Sequence, residues 1–225
     1  MSSSLLSITS TMLKSRQDAN IEIDMKKNIL KSLGTATNQM SSEEIISRYE
    51  NIIDEIVIDM SGNIVNNINI DELIPKEDKS SGEVKYMFDS KRYLPAYTSK
   101  DSSAFIIPIS GKGLWSTLYG YFAISNINYS SVKGITFYKH GETPGLGAEV
   151  EEDWFQNQFK ESAGKEIFNV EGELVSINVV KGKINNVKHD VDGISGATIT
   201  SNGVTDFLYR DLNNYKRFFV KQING

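Results

Sequence analysis

The chain has 225 residues, 39% hydrophobic and 24% charged, enough for one large domain or two small ones around a buried core. Twenty-nine acidic and 24 basic residues give a net charge of −5, and the bases are scattered, so no nucleic-acid footprint is present. Cysteine is absent and His140 and His189 are the only histidines, which excludes disulfides, cysteine-held clusters and thiol catalysis, and argues against a multi-histidine metal site.

No apolar run approaches the roughly 20 residues of a membrane helix. Residues 1–8 lack the basic flank and long apolar core of a signal peptide, so the expectation is a soluble chain that opens in mid-pattern. From about 7 to 32 the sequence reads as one helix. Leu13, Ile21, Ile23, Met25, Ile29 and Leu30 fall at near-helical spacing, and Leu33-Gly34 is a stop. Ser41 with Glu44 forms a capping box ahead of Ile45, Ile46, Tyr49, Ile52, Ile53 and Ile56, which predicts a second amphipathic helix. Residues 54–71 mix β-branched runs with a Ser61-Gly62-Asn63 turn. Pro75 to Gly82 reads as a polar loop, Val84 to Phe88 as a short strand, and Ser90 to Ser103 as a charged loop.

A β-rich part begins at Ala104. Phe105 to Ile109 is a buried-type strand, with Pro108 placing it at an edge or a bulge, and Ser110 to Gly113 turns the chain. Trp115 to Ser125 and Val132 to Tyr138 read as a strand pair, and Trp154 to Phe159 as a short amphipathic helix. Ile167 to Val170, Leu174 to Val180 and Val187 to Val191 are further short strands. A last helix runs from about Thr198 to Val220, with Val204, Phe207, Leu208, Leu212 and Tyr215 on one face. The predicted fold class is α+β, a mostly antiparallel sheet flanked by N-terminal and C-terminal helices. The predicted division is 1–103, helical and mixed, packed on 104–225, with the two open to reading as one continuous domain.

Three stretches carry chemistry. The first is Asp192 to Val204, where Gly193 and Gly196 permit tight turns and Ser195, Thr198 and Thr200 bring hydroxyls to a helix start. Free N–H groups and the helix dipole favour an anion there, and a phosphate is the obvious guest. Gly-Lys-Ser/Thr is missing, so a magnesium-held triphosphate is not indicated; the plain alternative is an N-cap turn. The second is His140 to Glu149, where Pro144-Gly145 is a strong turn signal among His140, Glu142 and Glu149. A tight connection with solvated charges is one reading. A hydrolase built on Thr198, with His140 as base paired to Glu142, is the enzyme alternative. The third is Gly111 to Gly120, where a flat ligand could rest on Leu114 or Trp115 and bond Ser116 and Thr117; otherwise Trp115 and Tyr119 are strand core.

Asp-Gly-Ile-Ser-Gly-Ala-Thr, ending at Thr198, resembles the flavinylation motif of the FMN-binding domain family. Gly-Lys-Gly-Leu-Trp-Ser, then Val132 to Tyr138 running into His-Gly-Glu-Thr-Pro-Gly-Leu-Gly, then the Ser-Gly-Ala-Thr run, resemble in that order the C-subunit family of the bacterial sodium-translocating NADH:quinone oxidoreductase. The match is densest from about Ile107 to Val204. The G subunit of the Rnf-type electron-transport complex shares two of these elements, whereas Gly-Leu-Trp-Ser favours the sodium pump.

The resemblance implies FMN joined through its phosphate to Thr198, with Thr200 as the second choice. Ser195, Gly196 and Ala197 would complete the attachment run, which a flavin transferase using FAD would read together with Asp192. Thr143, Gly145 and Leu146 would line one side of the flavin, and Leu114, Trp115 and Ser116 another. It further implies an electron-transfer role beside other subunits of a membrane complex, on the periplasmic side of a bacterial inner membrane, behind an N-terminal anchor expected to be missing here. NADH binding is not expected, because no Gly-x-Gly-x-x-Gly follows a strand. No catalytic side chain and no metal ligand are predicted. The remaining alternative is a non-redox module for a phosphate-bearing ligand.

Overall fold

In the computed structural model, which describes residues 19–224, the long apolar runs of the β-rich part are buried from both sides. Side chains alternate along a strand, so each run serves two cores. Phe105, Ile107 and Ile109 of β5 (Ala104–Lys112), with Phe122 and Ile124 of β6 (Thr117–Ser125), face one core. Ala104, Ile106, Tyr121 and Ala123 face the other. The first is closed by α4 (Thr198–Asn224) through Val204, Phe207, Leu208, Leu212, Tyr215, Phe218 and Phe219. The second is closed by α1 (residues 19–32) and α2 (Ser42–Ile52) through Ile29, Leu30, Ile45 and Tyr49. The result is α+β, a sheet between two helical layers. Among the described residues no helix is long and apolar enough to cross a membrane.

The sheet has seven antiparallel strands. Their order is β2 (Ile74–Glu77), β3 (Val84–Phe88), β4 (Lys91–Ser99), β5, β6, β7 (Val132–Lys139), with β1 (Ile53–Asp59) also paired to β4. One edge of β4 carries β1 from Tyr93 to Ser99; the other carries β3 at its start (Tyr86 opposite Tyr93) and β5 at its end (Tyr97 opposite Ile106). The β4–β5 ladder stops at Ile106, so Pro108 lies where β5 has no β4 partner and costs no ladder bond. A short α3 (Asp153–Gln156) sets Phe155 and the following Phe159 into the α4 core. A separate parallel pair, β8 (Asn178–Val180) and β9 (Asp190–Asp192), leads into α4.

Several expectations hold. The Ser41–Glu44 capping box is formed in both directions, and Gly34 closes α1 at φ +68° with Thr35 N–H bonded to Leu30 O at 3.0 Å. The final helix starts at Thr198, as read, and its five predicted core residues are buried. Others change. Ile53 and Ile56 leave the helix for β1, because pairing with β4 outweighs their helical spacing. Residues 90–103, read as a loop, contain β4, the strand with the most partners. Its charges sit at its open start, while Leu94, Ala96 and Tyr97 are buried. The first three residues of the loop read at 75–82 belong to edge strand β2 (Ile74–Glu77), where Pro75 is tolerated. The turn read at 110–113 falls at 113–116, so Trp115 is in the hairpin loop and not in β6. The strand read at 167–170 shrinks to one isolated bridge, and those at 174–180 and 187–191 shrink to three-residue β8 and β9. The part of the first helix read at 7–18 lies outside the described residues.

One crossing positions everything that follows. A Cβ on Gly203 of α4 would stand 2.1 Å from Lys112 O, and a Cβ on Gly111 would stand 2.3 Å from the Phe207 side chain, so α4 lies directly on β5. Beside this contact Asp211 accepts the Ser110 N–H at 2.9 Å and the Arg210 Nε–H at 2.9 Å, and Arg210 also donates to Ser110 O. Burial pushes the Asp211 carboxyl up to about 7, against the pull of Arg210 and of the Ser110 N–H.

Gly203→Ala should lower stability by about 1–3 kcal/mol, although the helix-propensity gain alone is about 1 kcal/mol of opposite sign. A urea midpoint equal to or above the wild type would refute the contact. Asp211 has a raised folded pKa, so the stability it contributes is full below its ordinary 3.8 and is lost as pH rises through about 7. Asp211→Asn should therefore gain stability relative to the wild type across that window. Parallel pH profiles for the two proteins, measured by urea denaturation, would contradict this.

Candidate functional site

Strand β9 ends at Asp192, and residues 193–197 turn the chain into α4. Gly193 N–H donates to Val180 O at 2.7 Å, and Ile194 N–H to Ser201 Oγ at 3.1 Å, which fixes the turn from both sides. Gly196 takes φ +76°, a left-handed conformation that suits glycine. The first helical bond runs from Ser201 N–H to Ala197 O, so among the described residues the N–H groups of Thr198, Ile199 and Thr200 are spare at the positive end of the helix. Ser195, Gly196, Thr198 and Ile199 are exposed, whereas Ala197 and Thr200 are buried.

The buried Thr200 hydroxyl donates to Glu142 Oε2 at 2.7 Å, a bond between residues 58 apart in sequence. Glu142 is itself buried, just after β7. Its Oε1 accepts the N–H groups of Trp115 (2.9 Å) and Ser116 (3.0 Å) and the Ser116 hydroxyl (3.2 Å), and its Oε2 accepts Leu114 N–H (3.1 Å). Three consecutive N–H groups of the β5–β6 hairpin thus form an anion nest, and a carboxylate of the same chain fills it. Gly113 and Gly147 leave the room: a Cβ on either would come within 2.7 and 2.5 Å of the two carboxylate oxygens. Burial pushes the Glu142 carboxyl upward, but the bonds from Thr200, Trp115, Ser116 and Leu114 outweigh it and hold the group below the usual glutamate value.

Glu142 leads directly into the predicted turn. Leu146 N–H bonds Thr143 O at 3.1 Å around Pro144-Gly145, with Gly145 at φ +72°. This sets the Leu146 side chain against the turn before α4, where a Cβ on Gly196 would lie 2.8 Å from Leu146 Cδ2. Trp115 is 71% exposed, and Leu114, Leu146 and Ile199 are exposed large apolar side chains at the same end of the molecule. Thr143 and Gly145 are exposed beside them. The three sequence stretches therefore converge on one place, with a polar node underneath and apolar side chains on the surface.

Some predicted contacts are arranged differently. The Ser116 hydroxyl is turned inward, donating to Glu142 and accepting Gly141 N–H at 2.7 Å, while Thr117 donates to Glu77 at 2.6 Å. His140 does not face the Glu142 carboxylate: its Nδ1 accepts the Glu142 backbone N–H at 3.2 Å. Its Nε2 lies 3.2 Å from Glu151, without hydrogen-bond alignment. The His140–Glu142 pairing needed by a threonine hydrolase is not made. A wide cleft of 1630 Å³ between α1, β7 and α3 is lined by none of the predicted site residues. Glu142 as the node was missed by sequence reasoning. Only its position between Gly113 and Gly147 could have drawn attention to it, and that requires knowing that the two glycines face each other.

Comparison with known proteins agrees with this convergence. The FMN-binding domain family matches residues 113–213, a span that holds the first two stretches and the third from Gly113 onward. The C subunit of the Na(+)-translocating NADH-quinone reductase of Haemophilus ducreyi is 32% identical over 96% of this chain and 83% of its own length. That of Yersinia pestis is 35% identical over 85% of this chain and 76% of its own. The crystal structure of the corresponding C subunit from Parabacteroides distasonis superposes with a TM-score of 0.75 at 33% identity, covering 92% of this chain and 96% of that one. Shewanella oneidensis NqrC, at 23% identity and a TM-score of 0.69 over 89% of this chain and 97% of that one, shares the fold. The chain belongs to the C-subunit family of the Na(+)-translocating NADH-quinone reductases.

Proposed function

We propose that this protein is an electron-transfer subunit of a membrane-bound, sodium-pumping NADH:quinone oxidoreductase, and that it carries FMN covalently through a phosphoester on Thr198. The observation that carries the reading is the exposed Thr198 hydroxyl on the first residue of a 27-residue helix, inside the FMN-binding-domain match. The spare N–H groups of that first turn and the helix dipole favour a phosphate there. Thr200 suits the role less well, since its hydroxyl is buried and donates to Glu142.

The residues at hand fit the group. Gly196 makes room for Leu146 beside the turn that leads to Thr198, and the exposed Leu114, Trp115, Leu146 and Ile199 offer an apolar wall for an aromatic ring system. Thr143, Gly145, Ser195, Ala197 and Ser116 frame that wall. When bound, FMN supplies one- and two-electron chemistry that a chain without cysteine does not. The protein's part is to orient the ring, to hold the phosphate and to keep the cofactor from exchanging. A separate flavin transferase would load it: the Thr198 oxygen bonds the FMN phosphorus of FAD, the pyrophosphate bond breaks, and AMP leaves. Asp192, Ser195 and Gly196 are exposed and open to such an enzyme. The other subunits of the complex would be the electron donor and acceptor. The site would face the periplasm, and the membrane would be met only through an N-terminal anchor. The names of the relatives support membership in such a complex.

Co-expression with an active flavin transferase should give a band that fluoresces under ultraviolet light after denaturing electrophoresis, with FMN on the peptide containing Thr198. Thr198→Ala should be dark, and His140→Ala should fluoresce as the wild type does. A dark wild-type band, with the transferase labelling a control substrate, would overturn the proposal; FMN mapped to Thr200 would move the attachment site.

A further inference from the structure

We propose that Glu142 is a positioning residue, whose carboxylate ties the Leu114–Ser116 loop to the first turn of α4 and so fixes the apolar wall relative to Thr198. A carboxylate offers about four lone-pair sites. Here five donors use them: four from the hairpin loop and one, Thr200, from α4. Hydrogen bonds to an ionised acceptor are the stronger kind.

Three successive N–H groups aimed at one point are a common means of capturing an external anion. In this chain the nest is already occupied, so the loop cannot serve as the phosphate site, and its backbone is committed to positioning. What the loop displays outward is Leu114 and Trp115, both exposed. The enclosing glycines, Gly113 and Gly147, admit no side chain that could replace the carboxylate. Among the described residues, Glu142 is therefore the one side chain bonded both to the wall-bearing loop and to the helix that begins at Thr198. The tie within the chain stands on these contacts alone; its consequence for the flavin rests on the reading proposed above.

The test uses Glu142→Gln and Thr200→Val, each in the full chain, before and after flavinylation. Glu142→Gln keeps the shape but leaves at least one N–H of the nest without an acceptor. Hydrogen exchange without flavin should show the protection of the Leu114, Trp115 and Ser116 amides falling about tenfold or more, with no change at Ile107 in β5. Thr200→Val cuts only the bond to α4, so it should keep that protection. In the flavinylated proteins both variants should show brighter flavin emission, because an indole held close to a flavin quenches it. In the wild type, acidification below the ordinary glutamate range should reproduce the lost protection, and the Gln variant should lack this pH step. Protection at 114–116 within about twofold of the wild type in Glu142→Gln, or unchanged flavin emission in both variants, would overturn the proposal. If the wild type takes no flavin, the exchange result still decides the tie, and only the cofactor reading falls.

Discussion

The site depends on a backbone crossing that contains no chemistry. Helix α4 rests on β5 with Gly203 against Lys112 O and Phe207 against Gly111, leaving no space for a methyl group at either glycine. Lys112 ends β5, and the hairpin loop follows at once. Thr200 lies one helical turn before Gly203. A close approach at Gly203 therefore delivers the start of α4 to that loop, within reach of the carboxylate that fills it. A wider crossing would part the loop from Thr200, and the node would come apart.

The Glu142 node shows how a buried charge can be tolerated. Taking a carboxylate out of water costs several kcal/mol unless hydrogen bonds compensate. Five donors do so here, and three are backbone groups whose position is set by the β5–β6 hairpin and cannot relax away. Asp211, on the same helix as Thr200, makes the contrast. It has Ser110 N–H and Arg210 as partners, and burial still prevails, so its carboxyl titrates near 7. The two faces of one crossing thus hold one acid kept ionised and another kept near neutrality. Asp211 is the more deeply desolvated of the two and has fewer donors, and both differences separate them.

Legibility followed the range of the interaction. Local signals were read correctly: the Ser41–Glu44 box, the stop at Gly34, the Pro144-Gly145 turn and the start of α4 at Thr198 all rest on bonds within a few residues. Strand β4 was missed because Lys91, Arg92 and Pro95 look like a loop; its strand character comes from β1 and β3 pairing on it, which no window of sequence contains. The hairpin was displaced by three residues because Gly111 reads as a turn glycine, while its purpose is to admit Phe207. Glycine marks a need for space or for an unusual φ, and the sequence does not say which.

By itself, the sequence narrowed the class of chemistry and offered a location for it. Absence of cysteine and scarcity of histidine mean that any redox work would fall to an organic cofactor, and the Ser-Gly-Ala-Thr run before a helix offered a place for an anion. The tertiary structure decided the roles within the motifs. Two threonines two residues apart, ranked in the sequence only by family resemblance, become an exposed residue at 198 and a buried donor at 200. Glu142 changes from one ionisable residue in a loop to the tie between three segments. The reason is physical: burial and hydrogen-bond partnership are properties of what lies across a contact, and for these residues the other side is 26 to 58 positions away.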